Sequence, residues 1–451
     1  VDRIAKMTLE ELRLRFEDHQ IRRVKLGVTD IDGVLRGKYV SLEKFFSAAK
    51  AELGFCDVIF GWDIADVLYD NVQATGWHTG YPDAAARIDL STFRLIPWEP
   101  GTAFFLMDIY TKTGEPFMLS PRQLFLKVLQ EAGKRGYEAY FSAEYEFWLF
   151  DETPATLREK GFRNLKPISP GMFGYSVLRA SQNQQLVLDI MEQLAGFNVA
   201  VEGFHTETGP GVYEAAIAVD TGIAAADKAA LFKTAVKEVC GRHGVTPTFM
   251  AKWNADLPGS SGHIHQSLWQ GKNLFQSADG SLPPAMRHYI GGMIENLPDA
   301  MAMICPTINS YKRTVPGAWA PVNATWDIDN RTTAVRAIPG RGKSARIELR
   351  LSGADINPYL AMAASLAAGL DGIERAVNPP EPTRNAYEAG ATRPLPRTLA
   401  EATRLFRASE FTRRWFGDEF VDHFAATREW EIRQFEKAVT DWELARYLES
   451  I

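Results

Sequence analysis

Leu9, Leu12, Leu14 and Phe16 recur at a partly helical period and predict a short helix over residues 8–20. Residues 22–40 read as extended, with Val24, Leu26, Val28 and Ile31 before Asp32-Gly33 and an apolar run from Val34 to Val40 after it. Asp-Gly between two apolar runs predicts a hairpin. Residues 41–112 mix short strands with loops, and the Gly/Pro-rich stretch 76–83 predicts an exposed loop. Ser120-Pro121 predicts a capped helix start, and 121–135 has helical spacing. Beyond it, strands are expected at 140–150, 200–218, 248–270 and 333–352, and helices at 180–195, 223–243, 284–303, 357–376 and 397–408. Residues 409–451 read as helical and aromatic-rich. A boundary within 114–120 follows, dividing the chain into 1–116 and 117–451. Pro379, Pro380 and Pro382 mark a surface loop, and there is no internal repeat.

Composition narrows the class. The 451 residues are 46% hydrophobic and 24% charged, which excludes a disordered chain. A formal charge of −6 argues against nucleic-acid binding through a large basic surface. Cys56, Cys240 and Cys305 form no CxxC pair, so neither a disulfide framework nor a cysteine zinc site is expected. The apolar stretch 359–370 is shorter than the roughly 18 residues of a membrane span. Asp2, Arg3 and Lys6 precede an amphipathic helix, not a secretory apolar run. A cytoplasmic, reducing location is the expectation, in which the sequons at Asn323 and Asn330 carry no weight.

Four strand-like segments alternate charged and apolar residues, and residues two apart share one face of a strand. In Phe141-Ser-Ala-Glu-Tyr-Glu-Phe-Trp-Leu-Phe150, Glu144 and Glu146 share a face while Tyr145, Phe147 and Leu149 take the other. Like charges so placed repel unless a cation lies between them. Glu207 and Glu214 bracket a Gly-Pro-Gly turn that could bring both carboxylates together. His263, His265 and Ser267 share a face after a Gly/Ser loop. Arg346, Glu348 and Arg350 alternate with Ile347, Leu349 and Leu351, and Arg313, Arg331, Arg336 and Arg341 add to the arginine density. Taken singly, each segment also reads as a solvated strand face, an ordinary hairpin or a salt-bridge ladder. United in one cavity, they suit hard cations, Mg²⁺ or Mn²⁺, and phosphoryl transfer. Gly342-Lys343-Ser344 is not a P-loop end, because Ala337 stands where the first glycine belongs and a strand follows where a helix should open.

The whole set resembles the glutamine synthetase superfamily, and specifically its glutamate–amine ligase branch, across essentially the entire chain. The resemblance rests on Glu144-Tyr-Glu146, Glu207 to Glu214, Gly259 to Ser267, Asn309-Ser-Tyr-Lys-Arg-Thr-Val-Pro-Gly317, Asn330-Arg331, Arg346-Ile-Glu-Leu-Arg350 and Asn357-Pro-Tyr-Leu360, in matching order and spacing. It implies an α+β fold: a β-grasp-like N-terminal domain and a catalytic domain with an antiparallel strand funnel flanked by helices. It also implies six-membered rings, single or stacked as dodecamers, with each active site closed by a neighbour's N-terminal domain. By the resemblance, Glu146, Glu207 and Glu214 hold one metal ion, and Glu144, His263 and Glu348 a second. Arg313 and Arg350, with backbone at Gly259, grip glutamate. Arg331, Arg336 and Arg346 neutralise ATP phosphates and the transferred phosphoryl group, with His265 and Ser267 on the phosphate and nucleoside side. Arg331, Arg336 and Arg350 are the implied catalytic arginines. The implied chemistry activates the γ-carboxylate of glutamate with ATP and lets an amine displace phosphate.

Departures from the family pattern point to the acceptor. The glutamate that closes over the substrate in true glutamine synthetases is Trp319 here. Phe60-Gly-Trp-Asp-Ile64 replaces the Phe-Asp-Gly-Ser-Ser segment, and Pro258 stands for an asparagine. An indole holds an alkylammonium by apolar contact and cation–π attraction worth up to ~2 kcal/mol. An organic-amine acceptor is therefore expected, in a pocket with Trp319 and Asp63. The C-terminal Val439-Thr-Asp-Trp-Glu443 run, followed by Arg446-Tyr447, resembles the same branch. The alternatives are an ammonia-using enzyme, with Trp319 merely packing and Asp63 or Asp57 supplying the cation site, and a non-catalytic relative.

Overall fold

The computed structural model describes residues 7–315, 317, 319–387 and 393–451. Among them the strands form two sheets. The first is mixed: Leu35–Ser41, Arg23–Thr29, Thr102–Tyr110, Asp83–Ile88 and Leu53–Cys56 lie side by side, with Arg94–Leu95 added on Thr102–Tyr110. The expected hairpin forms. Asp30 Oδ1 accepts from the N–H groups of Asp32 (3.1 Å) and Val34 (2.8 Å), and Gly33 takes the positive φ of 84° that the turn needs. Helix Leu9–Asp18 buries Leu12 and Phe16 under this sheet, while Leu14 is left exposed. Helix Leu42–Ala48, read from the sequence as strand or loop, starts at Ser41, whose side chain accepts from Lys44 N–H.

The second sheet carries the chemistry. Its order is Trp326–Ile328, Val335–Ile338, Arg346–Leu349, Gly262–Gln270, Glu138–Phe150, Val212–Ile217 and Val201–Thr206. All these neighbours are antiparallel except the first pair. The expected strand over 248–270 is shorter than the sequence suggested. Residues 249–261 form a loop, and its Trp253 packs edge-on against Trp148 and Phe150, so apolar spacing there records packing rather than strand pairing. The expected strand 333–352 divides at a tight turn, Gly342–Ser344, which leads into a strand as the rejection of a P-loop requires. The helix expected at 180–195 breaks at Asn183, and the C-terminal segment divides into Glu410–Phe416, Asp418–Lys437 and Asp441–Tyr447. Ser120 precedes helix Pro121–Lys134, but its hydroxyl makes no cap hydrogen bond.

The apolar stretch around 359–370 is a core helix, Pro358–Glu374, buried on nearly all sides. It packs against Pro284–Ile304 at glycine contacts: a Cβ on Gly292 would lie 2.2 Å from Ala368 O. No described helix is long and apolar enough to cross a membrane.

Buried polar links join the two sheets. Arg122 donates to Asp227 (2.9 Å), Asp108 (2.6 Å) and Asp89 (2.8 Å), and Tyr359 Oη donates to Asp227 at 2.7 Å. Removing one member of such a buried cluster typically costs about 3–5 kcal/mol. Asn357, at the start of the core helix, donates to Asp30 O and Ile31 O, and Arg428 pairs with Asp32. His423, on helix Asp418–Lys437, meets Phe60 O through Nε2 at 2.9 Å, and burial lowers its pKa to about 4. The unfolded chain therefore binds a proton that the folded chain refuses between about pH 6.5 and pH 4, so stability falls as pH drops through that window. A His423→Gln variant should show a flatter pH dependence of unfolding free energy there. An unchanged slope would assign the effect to other groups.

Candidate active site

Register decides which predicted residues meet. Glu144 stands opposite His263, and Glu146 opposite Glu214. Glu348 stands opposite His265 on one side and Arg336 on the other, and His205 stands opposite Glu214. The alternation on Glu138–Phe150 keeps Tyr145 and Phe147 in the core and turns Glu144 and Glu146 to the opposite face.

His263 Nδ1 lies 3.2 Å from Glu144 Oε1 and 3.3 Å from Glu348 Oε1. His265 Nε2 lies 3.6 Å from Glu144 Oε2. Arg346 Nε donates to His265 Nδ1 at 3.2 Å, which assigns the ring proton to Nε2, facing Glu144. Glu348, only 1% exposed, pairs with Arg336 at 2.9 Å and with Arg350. The Gly-Pro-Gly turn does bring Glu207 and Glu214 together: they lie 3.2 and 3.3 Å from His205 Nε2. Tyr175 stacks on that imidazole at 4.3 Å.

Three sets of possible metal-ligand atoms, each within 4.8 Å, result: Glu144, His265 and Glu348; Glu144, Glu214 and His263; His205, Glu207 and Glu214. This differs from the grouping the resemblance implies. Glu146 accepts the Ser261 N–H at 2.6 Å and stands outside all three sets, and His205 enters. Sequence reasoning passed over His205. Its i,i+2 spacing to Glu207, the same signal that singled out His263 and His265, could have found it.

Arg313 is buried on the short helix Ser310–Arg313 and donates to Leu351 O (3.0 Å) and Arg350 O (3.2 Å). A Cβ on Gly259 would lie 2.7 Å from Arg313 Cγ, so the absence of a side chain lets this loop close on the arginine. Arg350 Nε donates to Arg331 O at 3.1 Å, while the Arg331 residue is exposed. Ser267 lies farther along its strand, opposite Tyr140, and accepts from Trp269 Nε1. Trp319 is 67% exposed, with a positive φ of 55°. Asp63 accepts from Trp430 Nε1 at 3.0 Å, and among the described residues no hydrogen bond or ion pair joins it to Trp319. Within one chain the two halves of the expected amine pocket are not in polar contact. Asp57 is buried and accepts from Thr75, with no ion-pair partner among the described residues. A groove of about 930 Å³ between helices Leu9–Asp18 and Leu42–Ala48 contains none of these residues.

Charge balance separates the carboxylates. Burial, then Glu144, Glu146, Glu207 and Glu348, push the Glu214 pKa far up. Burial opposes ionisation of Glu348 too, but His263, His265 and Arg350 bring it down to about 2. Glu144 also sits far below the usual range despite its burial, through hydrogen bonds and charge from His263 and His265. Burial and Arg350 lower His263, so it is neutral at pH 7 and its contribution to Glu144 there is the N–H, not a full charge. The arginines thus balance Glu348 but leave Glu214 and its neighbours short of positive charge. That deficit, with donors that are all carboxylate oxygen or imidazole nitrogen, fits hard divalent cations.

Acidic and imidazole donors facing arginines on this largely antiparallel sheet could hold divalent cations and bind anionic groups, the equipment of a phosphoryl-transfer enzyme. This chain belongs to the glutamine synthetase family: the family's catalytic domain (glutamine synthetase, catalytic domain) matches residues 118–447. A type-1 glutamine synthetase 2 from Dictyostelium discoideum is 48% identical over 438 residues, covering 95% of this chain and 84% of that protein. A glutamate–isopropylamine ligase from a Pseudomonas species is 41% identical, covering 99% of both chains. A γ-glutamylethanolamide synthetase from Streptomyces coelicolor is 37% identical, covering 99% of this chain and 97% of that protein. A solved GmaS–ADP complex superposes with a TM-score of 0.85 at 28% identity, covering 97% of this chain and 99% of that one. The expected α+β fold and family membership are thereby established.

Proposed function

We propose that this protein is an ATP- and divalent-cation-dependent carbon–nitrogen ligase that joins the γ-carboxylate of glutamate to an organic amine. The acceptor class rests on Trp319, an exposed indole where the family pattern has a glutamate. The two amine-ligase relatives support it.

Arg313 and Arg350 hold the glutamate carboxylate beside Gly259. Arg331, Arg336 and Arg346 face the ATP phosphates, with His265 and Ser267 toward the nucleotide. A γ-carboxylate oxygen attacks the terminal phosphorus, ADP leaves, and the acyl carbon now carries phosphate, a good leaving group. The amine nitrogen then attacks that carbon, the C–O bond to phosphate breaks, and the nitrogen gives up a proton to leave the amide. Glu144, Glu146, Glu207, Glu214, His263 and Glu348, joined by His205, would hold two or more Mg²⁺ or Mn²⁺ ions. When bound, these supply the positive charge that phosphoryl transfer requires. Arg336 and Arg350, tied to Glu348, are fixed before substrate arrives and need little reorganisation.

The functional division falls at 1–116 and 117–451, and the working form is a homo-oligomeric ring, a hexamer or a stacked dodecamer. In it a neighbour's Asp63 would approach Trp319; within one chain, among the described residues, Asp63 instead accepts from Trp430. The cytoplasm is the proposed location.

A second reading, ammonia as acceptor, is favoured by the name of the Dictyostelium relative. Trp319→Glu separates the two. If the indole holds the amine, this variant lowers the ratio of amine to ammonia kcat/KM by roughly 10- to 30-fold, as loss of a cation–π contact of ~2 kcal/mol implies. Mass-spectrometric quantitation of γ-glutamylamide and glutamine from mixed acceptors measures it, and an unchanged ratio removes Trp319 from the pocket.

A further inference from the structure

The segment before residue 388 is fastened to the loop that carries Arg331. Asn330 Nδ2 donates to Thr383 O at 3.1 Å and to Arg384 O at 2.7 Å. Thr332 Oγ1 accepts from Ala386 N–H at 3.3 Å. Asn385 Oδ1 accepts from Tyr387 N–H at 3.1 Å. Asn330 and Thr332 flank Arg331, whose carbonyl receives Arg350 Nε. Tyr387 is therefore mounted on the same scaffold as Arg331 and Arg350.

Its hydroxyl is unusual. The oxygen is buried, yet it has no hydrogen-bond partner among the described residues. Burial pushes the phenol pKa up, and Arg350, the nearby Trp319 N–H and Arg313 act in the opposite direction. An unpaired buried hydroxyl destabilises a fold, and its persistence calls for a missing partner. With Arg350 and Arg313 favouring negative charge at this position, the partner that suits an O–H donor is an anionic oxygen.

We propose that Tyr387 is a substrate-binding residue whose hydroxyl donates to the carboxylate of the amino-acid substrate that Arg313 and Arg350 hold. This rests on the reading of glutamate as the acyl donor. The hydroxyl is idle in the free protein and engaged in the complex, so stability and affinity should respond differently to its removal.

The test is calorimetric titration of L-glutamate into the full chain with Mg²⁺ and ADP present, for the wild type and Tyr387→Phe. ADP affinity and ligand-free melting temperature are measured in parallel. Tyr387→Phe should melt at the same temperature or higher and keep its ADP affinity, while its Kd for glutamate rises tenfold or more. Unchanged glutamate affinity overturns the assignment. So does a joint loss of melting temperature, ADP affinity and glutamate affinity, which would mark Tyr387 as structural. A wild type that binds ADP but not glutamate overturns this assignment together with the acyl-donor reading. Wild-type binding with an unaffected variant overturns only the former.

Discussion

Replacing Glu214 by glutamine makes the cation-free protein more stable and at the same time abolishes turnover. Glu214 is 8% exposed and is pushed up by burial and by four carboxylates. At pH 7 the cation-free fold keeps it protonated, whereas in the unfolded chain it ionises near 4.5. The folded pKa is the higher one, so the unfolded chain binds fewer protons and stability falls as pH rises above about 4.5. Glutamine escapes that penalty, which is worth up to about 3 kcal/mol at pH 7. With Mg²⁺ or Mn²⁺ the order reverses: a bound cation stabilises the wild type by mass action, and the variant has lost a ligand. Melting curves with and without Mg²⁺ measure both effects, and activity should drop at least about 1,000-fold, the scale of losing central charge stabilisation. A variant less stable than the wild type without cation would contradict the charge-deficit account.

Glu348→Ala should act with the opposite sign on stability. Among the described residues this carboxylate is as buried as any, but it is matched by Arg336 and Arg350. Its loss leaves the buried Arg350 without its ion-pair partner and Arg336 with only the exposed Asp329. Breaking a buried ion-pair cluster in this way costs about 3–5 kcal/mol. Denaturant unfolding at pH 7 should show that loss whether or not Mg²⁺ is present, and turnover should fall at least as far as in Glu214→Gln. Two glutamates on strands of the same sheet thus differ because arginines reach one and not the other. If both variants shift stability in the same direction, local charge balance is not what distinguishes them.

The parts of the site legible in the sequence are those set by strand period. Glu144 and Glu146 alternate with Tyr145 and Phe147, and His263 alternates with Ile264, so their common face could be read directly. Register could not be read. Whether Glu146 meets a cation set or the Ser261 N–H depends on how Gly262–Gln270 aligns with Glu138–Phe150, which no local pattern encodes. Loop positions were least legible. Phe249 and Trp253 carry strand-like apolar character but serve packing. Tyr387 sits in no periodic element, and the hydrogen bonds of Asn330 and Thr332 fasten its segment to the loop that carries Arg331. Helix Leu42–Ala48 is two turns long, too short for its period to stand out. Asp63 and Trp319 were paired through the family pattern, which does not encode that Asp63 accepts from Trp430 within one chain.

The organic-amine acceptor is the central claim, and the most direct measurement is phosphate release from ATP with Mg²⁺ and glutamate. The panel comprises ammonia, alkylamines, aromatic amines, ethanolamine and polyamines. The account predicts that one class of organic amine supports turnover with a kcat/KM well above that for ammonia. Preferential turnover with ammonia would contradict it and make the protein a glutamine synthetase with an unusual cation site.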